Sequence, residues 1–352
     1  DKGAVARGVT LADGDSPTSG GGVYVWDGAV YDCVVTNCRT SANLNTEGGG
    51  GIRLVTGIVT NTLITHCTGA ANDKGMGVRM SGGQLIGCTI RRCTGVNGTD
   101  GGEGGGVFAA GGGVISNVLI EACLAQFSAG LSARENTIIA DSIVRGCTAG
   151  VAWAVSLWDS AVMDRCQVIG NTANYSANVM AGGRTKLMNS LIVSNRSLSA
   201  GGKAGVDMSY WWTIAPLAVN CTIAHNEGQQ SGQAAGIAQG NNGTVTNCII
   251  YYNTAARAPH NYSGDLAAVG YSCAPELTHG VNGNITNAPA FKDPLEGNYR
   301  LSPGSPCRDA GVLLPGMATW RDLDFKPRVQ FGGVDMGAFE SPPPAGTIMV
   351  VR

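Results

Sequence analysis

A nine-residue pattern returns nine times between Asp32 and Ala255, and it restricts the fold more than any other property of the chain. Its first copy is Asp32-Cys33-Val34-Val35-Thr36-Asn37-Cys38-Arg39-Thr40, and its last runs from Asn247 to Ala255. The seventh position is Cys38, Cys67, Cys93, Cys123 and Cys147, then Asn171, Asn195, Asn226 and Asn253, at intervals of 24 to 31 residues. One side chain recurring at that interval means that the backbone coils and each coil stacks on the last. An array of this kind lengthens by adding coils, so the usual conversion of 352 residues into two domains does not apply.

Each coil has two further landmarks. A short strand begins at Val23, Ile52, Val78 and Val107 in the first four coils, and period-2 alternation turns those residues inward and Tyr24, Arg53, Arg79 and Phe108 outward. A second strand centres on Val30, Val59, Leu85 and Ile115, and the pattern's fourth position is Val or Ile at Val35, Ile64, Ile90 and Ile120. Three apolar columns predict an all-β parallel β-helix of about nine regular coils with three short sheets, and at about 4.8 Å per coil a rod core of roughly 43 Å. Residues 1–20 are expected to cap the first coil and 21–255 to form the coils. A last coil with an irregular cap is expected over 256–340, and a Pro-rich linker toward a further domain over 341–352. An Asn at the seventh position is expected to be buried, bonding to the stacked Asn above and below and to turn backbone.

Composition removes several partners. Only 14% of residues are charged, the net charge is −2, and Lys and Arg form no run, so no nucleic-acid partner is expected. No apolar run approaches the roughly 18 residues of a membrane helix, so no membrane partner is expected either. Ten of the twelve cysteines fall at the pattern's second or seventh position, which reads as small buried side chains, while Cys273 and Cys307 lie outside it and are candidates for a bridge. The sequons at Asn195 and Asn220 coincide with pattern positions and read as accidental.

Hydrolytic or lyase chemistry on such a surface needs acids on adjacent coils in one outward column. The first outward column holds a single acid, Asp207; Glu121 stands between Arg91 and Arg145 as an ion-pair ladder; Asp159 and Asp164 flank a turn. No catalytic residue is assigned and no cofactor is expected, Asp100 and Glu103 in a Gly-rich loop being weak candidates for Ca²⁺. Aromatics are sparse at 6%, yet Trp153, Trp158, Tyr210, Trp211 and Trp212 converge on coils six to eight around Gly182-Gly183. Indole faces stack on sugar rings while a few polar groups fix hydroxyls, a role open here to Asp207, Arg134 and Asn178. Packing over a sheet end is the alternative for the tryptophans, and packing of an N-terminal cap the alternative for a separate pair, Tyr24 and Trp26.

The pattern together with the tail Leu301-Ser302-Pro303-Gly304-Ser305-Pro306, Asp309-Ala310-Gly311, Pro327-Arg328 and Val334 to Glu340 resembles the secreted bacterial right-handed β-helix proteins. That resemblance supplies the handedness and a secreted or cell-surface location. Its members include pectate-lyase-like enzymes, surface adhesins and non-catalytic xylan-binding modules attached to glycoside hydrolases. A monomeric carbohydrate-binding module for a plant polysaccharide, xylan first, is the function expected, holding a covalently linked catalytic domain near its substrate. A β-helix polysaccharide lyase or glycoside hydrolase is the alternative, and a surface adhesin or spacer the third reading.

Overall fold

In the computed structural model the chain is a right-handed parallel β-helix of about nine turns. The structure describes residues 3–41, 48–70, 72–95, 102–199, 203–209, 215–229, 233–240 and 242–342. Among these, the only helical pieces are three single turns, Leu266–Ala268, Val281–Gly283 and Met317–Thr319, and none is long or apolar enough to cross a membrane.

The coils stack into four sheets rather than three. Sheet 1 runs through ten strands from Val23–Val25 to Tyr262–Ser263, and sheet 2 through eleven from Val5–Arg7 to Val269–Gly270. Sheet 3 has ten strands from Thr10–Ala12 to Ile249–Tyr251, and sheet 4 has eight from Asp15–Ser16 to Arg196–Ser197. The nine-residue pattern spans two of these, because its first and sixth residues are corners. Both columns, Asp32 through Asn247 and Asn37 through Tyr252, sit at φ of +47° to +62° in all nine coils. Asn, Asp and Gly tolerate that left-handed conformation best and dominate the first corner. The strands between corners hold only two to five residues, too few to stand out as a separate sheet in the sequence.

Register is continuous. Val78 pairs with Ile52 and Val107, Leu85 with Val59 and Ile115, and Ile90 with Ile64 and Ile120, so each apolar column becomes one file in a single core. All twelve cysteines are buried free thiols, Cys273 and Cys307 among them. Burial pushes the Cys88 thiol up to about 11, and burial with the charges of Asp164 and Asp141 pushes Cys166 up to about 12, which keeps both protonated at neutral pH. In the five coils with Cys at the seventh position a glycine faces that sulfur. A Cβ at Gly22, Gly51, Gly77, Gly106 or Gly130 would stand 2.9 to 3.5 Å from the Sγ of Cys38, Cys67, Cys93, Cys123 or Cys147.

From coil six the same column becomes an asparagine ladder. Asn171 Nδ2 and its backbone N–H both donate to Asn195 Oδ1, Asn195 donates likewise to Asn226, Asn226 to Asn253, and Asn253 to Asn261, at 2.9 to 3.2 Å. Glu276 Oε1 ends the series by accepting from the backbone of His260 and Asn261 and from the Asn261 amide. Asn195 and Asn220 are fully buried, so neither sequon presents an amide for glycan transfer in the folded chain.

The first segment caps the rod by pairing. Val5–Arg7, Thr10–Ala12 and Asp15–Ser16 add a partial coil to sheets 2, 3 and 4 but contribute no strand to sheet 1. At the other end, residues after Tyr271 fold back along the outside of sheet 3. Gly337 N–H donates to Asn247 O and Ala338 N–H to Thr222 Oγ1, while Tyr299 and Phe339 cover Leu191, Val193 and Ala224. The tail motif is therefore a clasp. Its Arg328 is fully buried, donates to the carbonyls of Gly337 and Asp335, and pairs with Glu340 at 3.1 Å.

Burial pushes the Glu340 carboxyl up to about 9, with Asp335 and Asp322 adding in the same direction and Arg328 opposing. A carboxyl with a raised folded-state pKa gives its full stability below the unfolded value and loses it as pH rises through the folded value. The clasp is thus expected to weaken between its ordinary value of 4.5 and about 9. Denaturation midpoints across that range should fall for the native chain and stay nearly level for Glu340→Gln. A variant that is destabilised equally at every pH would mean that Glu340 is ionised throughout.

Candidate functional site

The outward face of sheet 1 is not an open surface. In coil one Tyr24 is exposed, but Phe108, Ser132, Ser156, Met180 and Asp207 in later coils are buried. Ser128 and Ser156 share a 2.7 Å hydrogen bond, Ser156 donates to Ser132, and Ser132 donates to Glu103 Oε1 at 2.7 Å. This hydroxyl chain fixes Glu103 over the sheet.

Around Glu103 the structure gathers cations. Arg134, the residue after the coil-five strand, forms a two-pronged contact with Glu103 at 2.7 and 2.8 Å. Lys74 Nζ lies 5.0 Å from the centre of the Phe108 ring, with the guanidinium carbons of Arg79 at 5.3 Å and Arg134 at 5.4 Å. Each distance is within cation–π range. Among the described residues, three cationic groups thus meet on one ring, with Glu103 as the carboxylate bound to Arg134. Lys74 forms no ion pair among the described residues, and burial, then the charges of Arg134 and Arg79, hold its pKa below the usual lysine value against the pull of Glu103.

An aromatic wall adjoins the patch. Trp158 follows the coil-six strand as Arg134 follows that of coil five, and the two lie in one column with 5.9 Å between the guanidinium and the indole. Trp158 also lies against Gly182 of the next coil, where an added Cβ would stand 3.1 Å from its ring. Trp153 meets it edge-on at 5.8 Å and 83°, and Phe127 flanks Trp153 at 6.3 Å. Trp153 is held at φ +60°, a conformation rare for a bulky side chain, which points to a position enforced by its surroundings.

Of the expected site residues, Trp153, Trp158 and Arg134 come together, and Glu103 joins them. Two others are engaged in the fold and do not face a ligand. Asp207 is buried and accepts from Lys203 Nζ at 2.9 and 3.0 Å and from the Ser209 hydroxyl and N–H. Asn178 is fully buried and donates to the carbonyls of Arg196 and Ala204. Tyr210, Trp211, Trp212 and Asp100 lie outside the described residues. Glu103 suits Ca²⁺ poorly, since Arg134 and Ser132 already occupy its oxygens. No group of three acids, histidines or cysteines able to hold a metal occurs among the described residues. Asp164 is bound to Arg165 and Asn189, and Glu121 to Arg145.

Lys74, Arg79 and Phe108 were not anticipated as site residues. The signal was in the outward column, where Arg53, Arg79 and Phe108 occupy successive coils; a search for paired acids and tryptophans passes over it.

No protein-family model matches the chain, and no curated protein sequence matches it. Among solved structures, it is similar to a crystal structure of pectate lyase Pel9A, with a TM-score of 0.56 and 12% identity over 97% of this chain and 87% of that one. At that identity the likeness establishes a pectate-lyase-like parallel β-helix as the fold.

Proposed function

We propose that the chain binds an acidic plant polysaccharide on the outer face of sheet 1, across coils three to six. The observation that carries this reading is the convergence of Lys74, Arg79 and Arg134 on Phe108, with Trp158 in the adjoining position. Guanidinium groups recognise carboxylates through paired, charge-assisted hydrogen bonds, and an indole face supplies the apolar half of a sugar contact. Xylan remains a candidate as the form that carries uronic-acid branches, and polygalacturonate is the second candidate. As a binding module of this kind, the chain would hold a linked catalytic domain at its substrate.

Affinity electrophoresis tests the reading. Mobility should fall in gels containing polygalacturonate or uronate-branched xylan, and this retardation should weaken as salt is added. Unaltered mobility in both gels would remove the proposal.

Lys74 favours a second reading, a polysaccharide lyase. A lysine whose pKa is lowered by burial is suited to take a proton, and arginines beside it would stabilise the charge developing on a uronate. The likeness to a pectate lyase fold accommodates this chemistry as readily as binding alone. Unsaturated uronate ends released from oligogalacturonate, and lost in Lys74→Met, would establish it. Tight binding with no such product would leave the non-catalytic reading.

A further inference from the structure

We infer that Tyr24 and Trp26 form a second sugar-binding site, for neutral pyranose chains, separate from the cationic face. The strand Val23–Val25 is the first of sheet 1 among the described residues and pairs with Ile52–Leu54. The two rings are open among the described residues: Tyr24 is 48% and Trp26 59% exposed. Their ring planes lie within 11° of each other at a centroid distance of 6.3 Å, a stacked pair. The backbone beneath is fixed, since the Trp26 carbonyl accepts from Thr56 twice, through its N–H at 2.9 Å and its hydroxyl at 2.6 Å. Two exposed, near-parallel aromatic rings on a fixed backbone offer apolar surface to the C–H faces of sugar rings, with few torsions to immobilise.

Polar groups beside the rings select the class of sugar. A concavity of about 280 Å³ runs past Tyr24 and Trp26 to Gly28 and Ala29, which also line a second of about 550 Å³ with Asp27 and Gln84. The larger volume is in the range of small-ligand sites. No lysine or arginine lines either concavity among the described residues, and Asp27 would repel a uronate. The carboxylate of Asp27 and the amide of Gln84 are suited to hydroxyl groups. This chemistry is the opposite of that at Arg79 and Arg134, so the two sites are expected to divide a mixed polysaccharide by charge.

Isothermal titration of the full chain with neutral xylo- and cello-oligosaccharides, and in parallel with oligogalacturonate, tests the inference. Trp26→Ala and Tyr24→Ala are each expected to weaken neutral-sugar binding by about tenfold or more, a loss of roughly 1.4 kcal/mol. Oligogalacturonate binding and the thermal midpoint should stay unchanged, while Arg79→Ala should show the reverse selectivity. Absence of neutral-sugar binding in the native chain, or equal binding by Trp26→Ala, would overturn the inference whatever happens at the cationic face. Sedimentation that shows a native dimer dissociated by Trp26→Ala would also overturn it, by assigning the rings to a contact between copies.

Discussion

Replacing Arg79 by alanine is expected to lower affinity for polygalacturonate or uronate-branched xylan by 10- to 100-fold, about 1.5–3 kcal/mol for one charge-assisted contact. Arg79 projects from the middle of a sheet-1 strand paired on both sides, so its removal should leave the coil intact. Trp158→Ala is expected to reduce retention as well, through lost stacking rather than lost charge. The two variants should differ in salt response. Arg79→Ala should flatten the dependence of affinity on ionic strength, whereas Trp158→Ala should keep its slope. Arg134→Ala is less informative alone, because it also leaves Glu103 without its partner. Affinity gels at several salt concentrations read all three. Retention by Arg79→Ala equal to the native chain would remove the arginine from the site.

Asn195→Ala is expected to cost about 3–5 kcal/mol of stability, the largest effect of any single truncation considered. Its side chain accepts two hydrogen bonds from Asn171 and donates to Asn226 Oδ1 and Val168 O, all fully buried. Truncation leaves donors and acceptors in two neighbouring coils unpaired, where no side chain can replace them. In the thiol part of the same column, Cys93→Ala removes one sulfur without orphaning a strong donor, and about 1–2 kcal/mol is expected. Denaturant unfolding should rank the two variants in that order. Equal losses would mean that the ladder's hydrogen bonds contribute nothing beyond packing.

The winding was legible because it repeats. Nine copies of one pattern place Val35, Ile64 and Ile90 in register, and the asparagine column follows from the need to pair polar groups in a buried turn. The fourth sheet was hidden because strands such as Arg39–Thr40 and Thr68–Gly69 are too short for alternation to register. The clasp over sheet 3 left a trace that only the structure interprets. Outward pattern positions change from Thr65, Arg91 and Glu121 to Val193, Ala224 and Tyr251, where Phe339, Tyr299 and their neighbours cover them.

The site was legible in part for a related reason. Trp153 and Trp158 lie five residues apart in sequence, so an aromatic cluster pointed to them, and Arg134 lies one coil before Trp158 in the same column. Lys74 and Arg79, Glu103 and Phe108, and Arg134 stand on three successive coils, and only stacking brings the three cations onto the Phe108 ring and Glu103 onto Arg134. Even charge spacing along a repeat conceals a concentrated patch, since one coil of chain advances the rod by only about 4.8 Å. The pairing of Asp207 was hidden for another reason: its partner, Lys203, is brought to it by the turn leading into its own strand.

The most direct measurement is calorimetric titration of the Trp26→Ala protein, in which the cationic face is the remaining site, with an oligogalacturonate before and after methyl esterification of its carboxyls. Binding of the free acid, with loss of tenfold or more on esterification, is the result expected if Lys74, Arg79 and Arg134 grip carboxylates. Equal affinity for the ester, or no affinity for the acid, would contradict it.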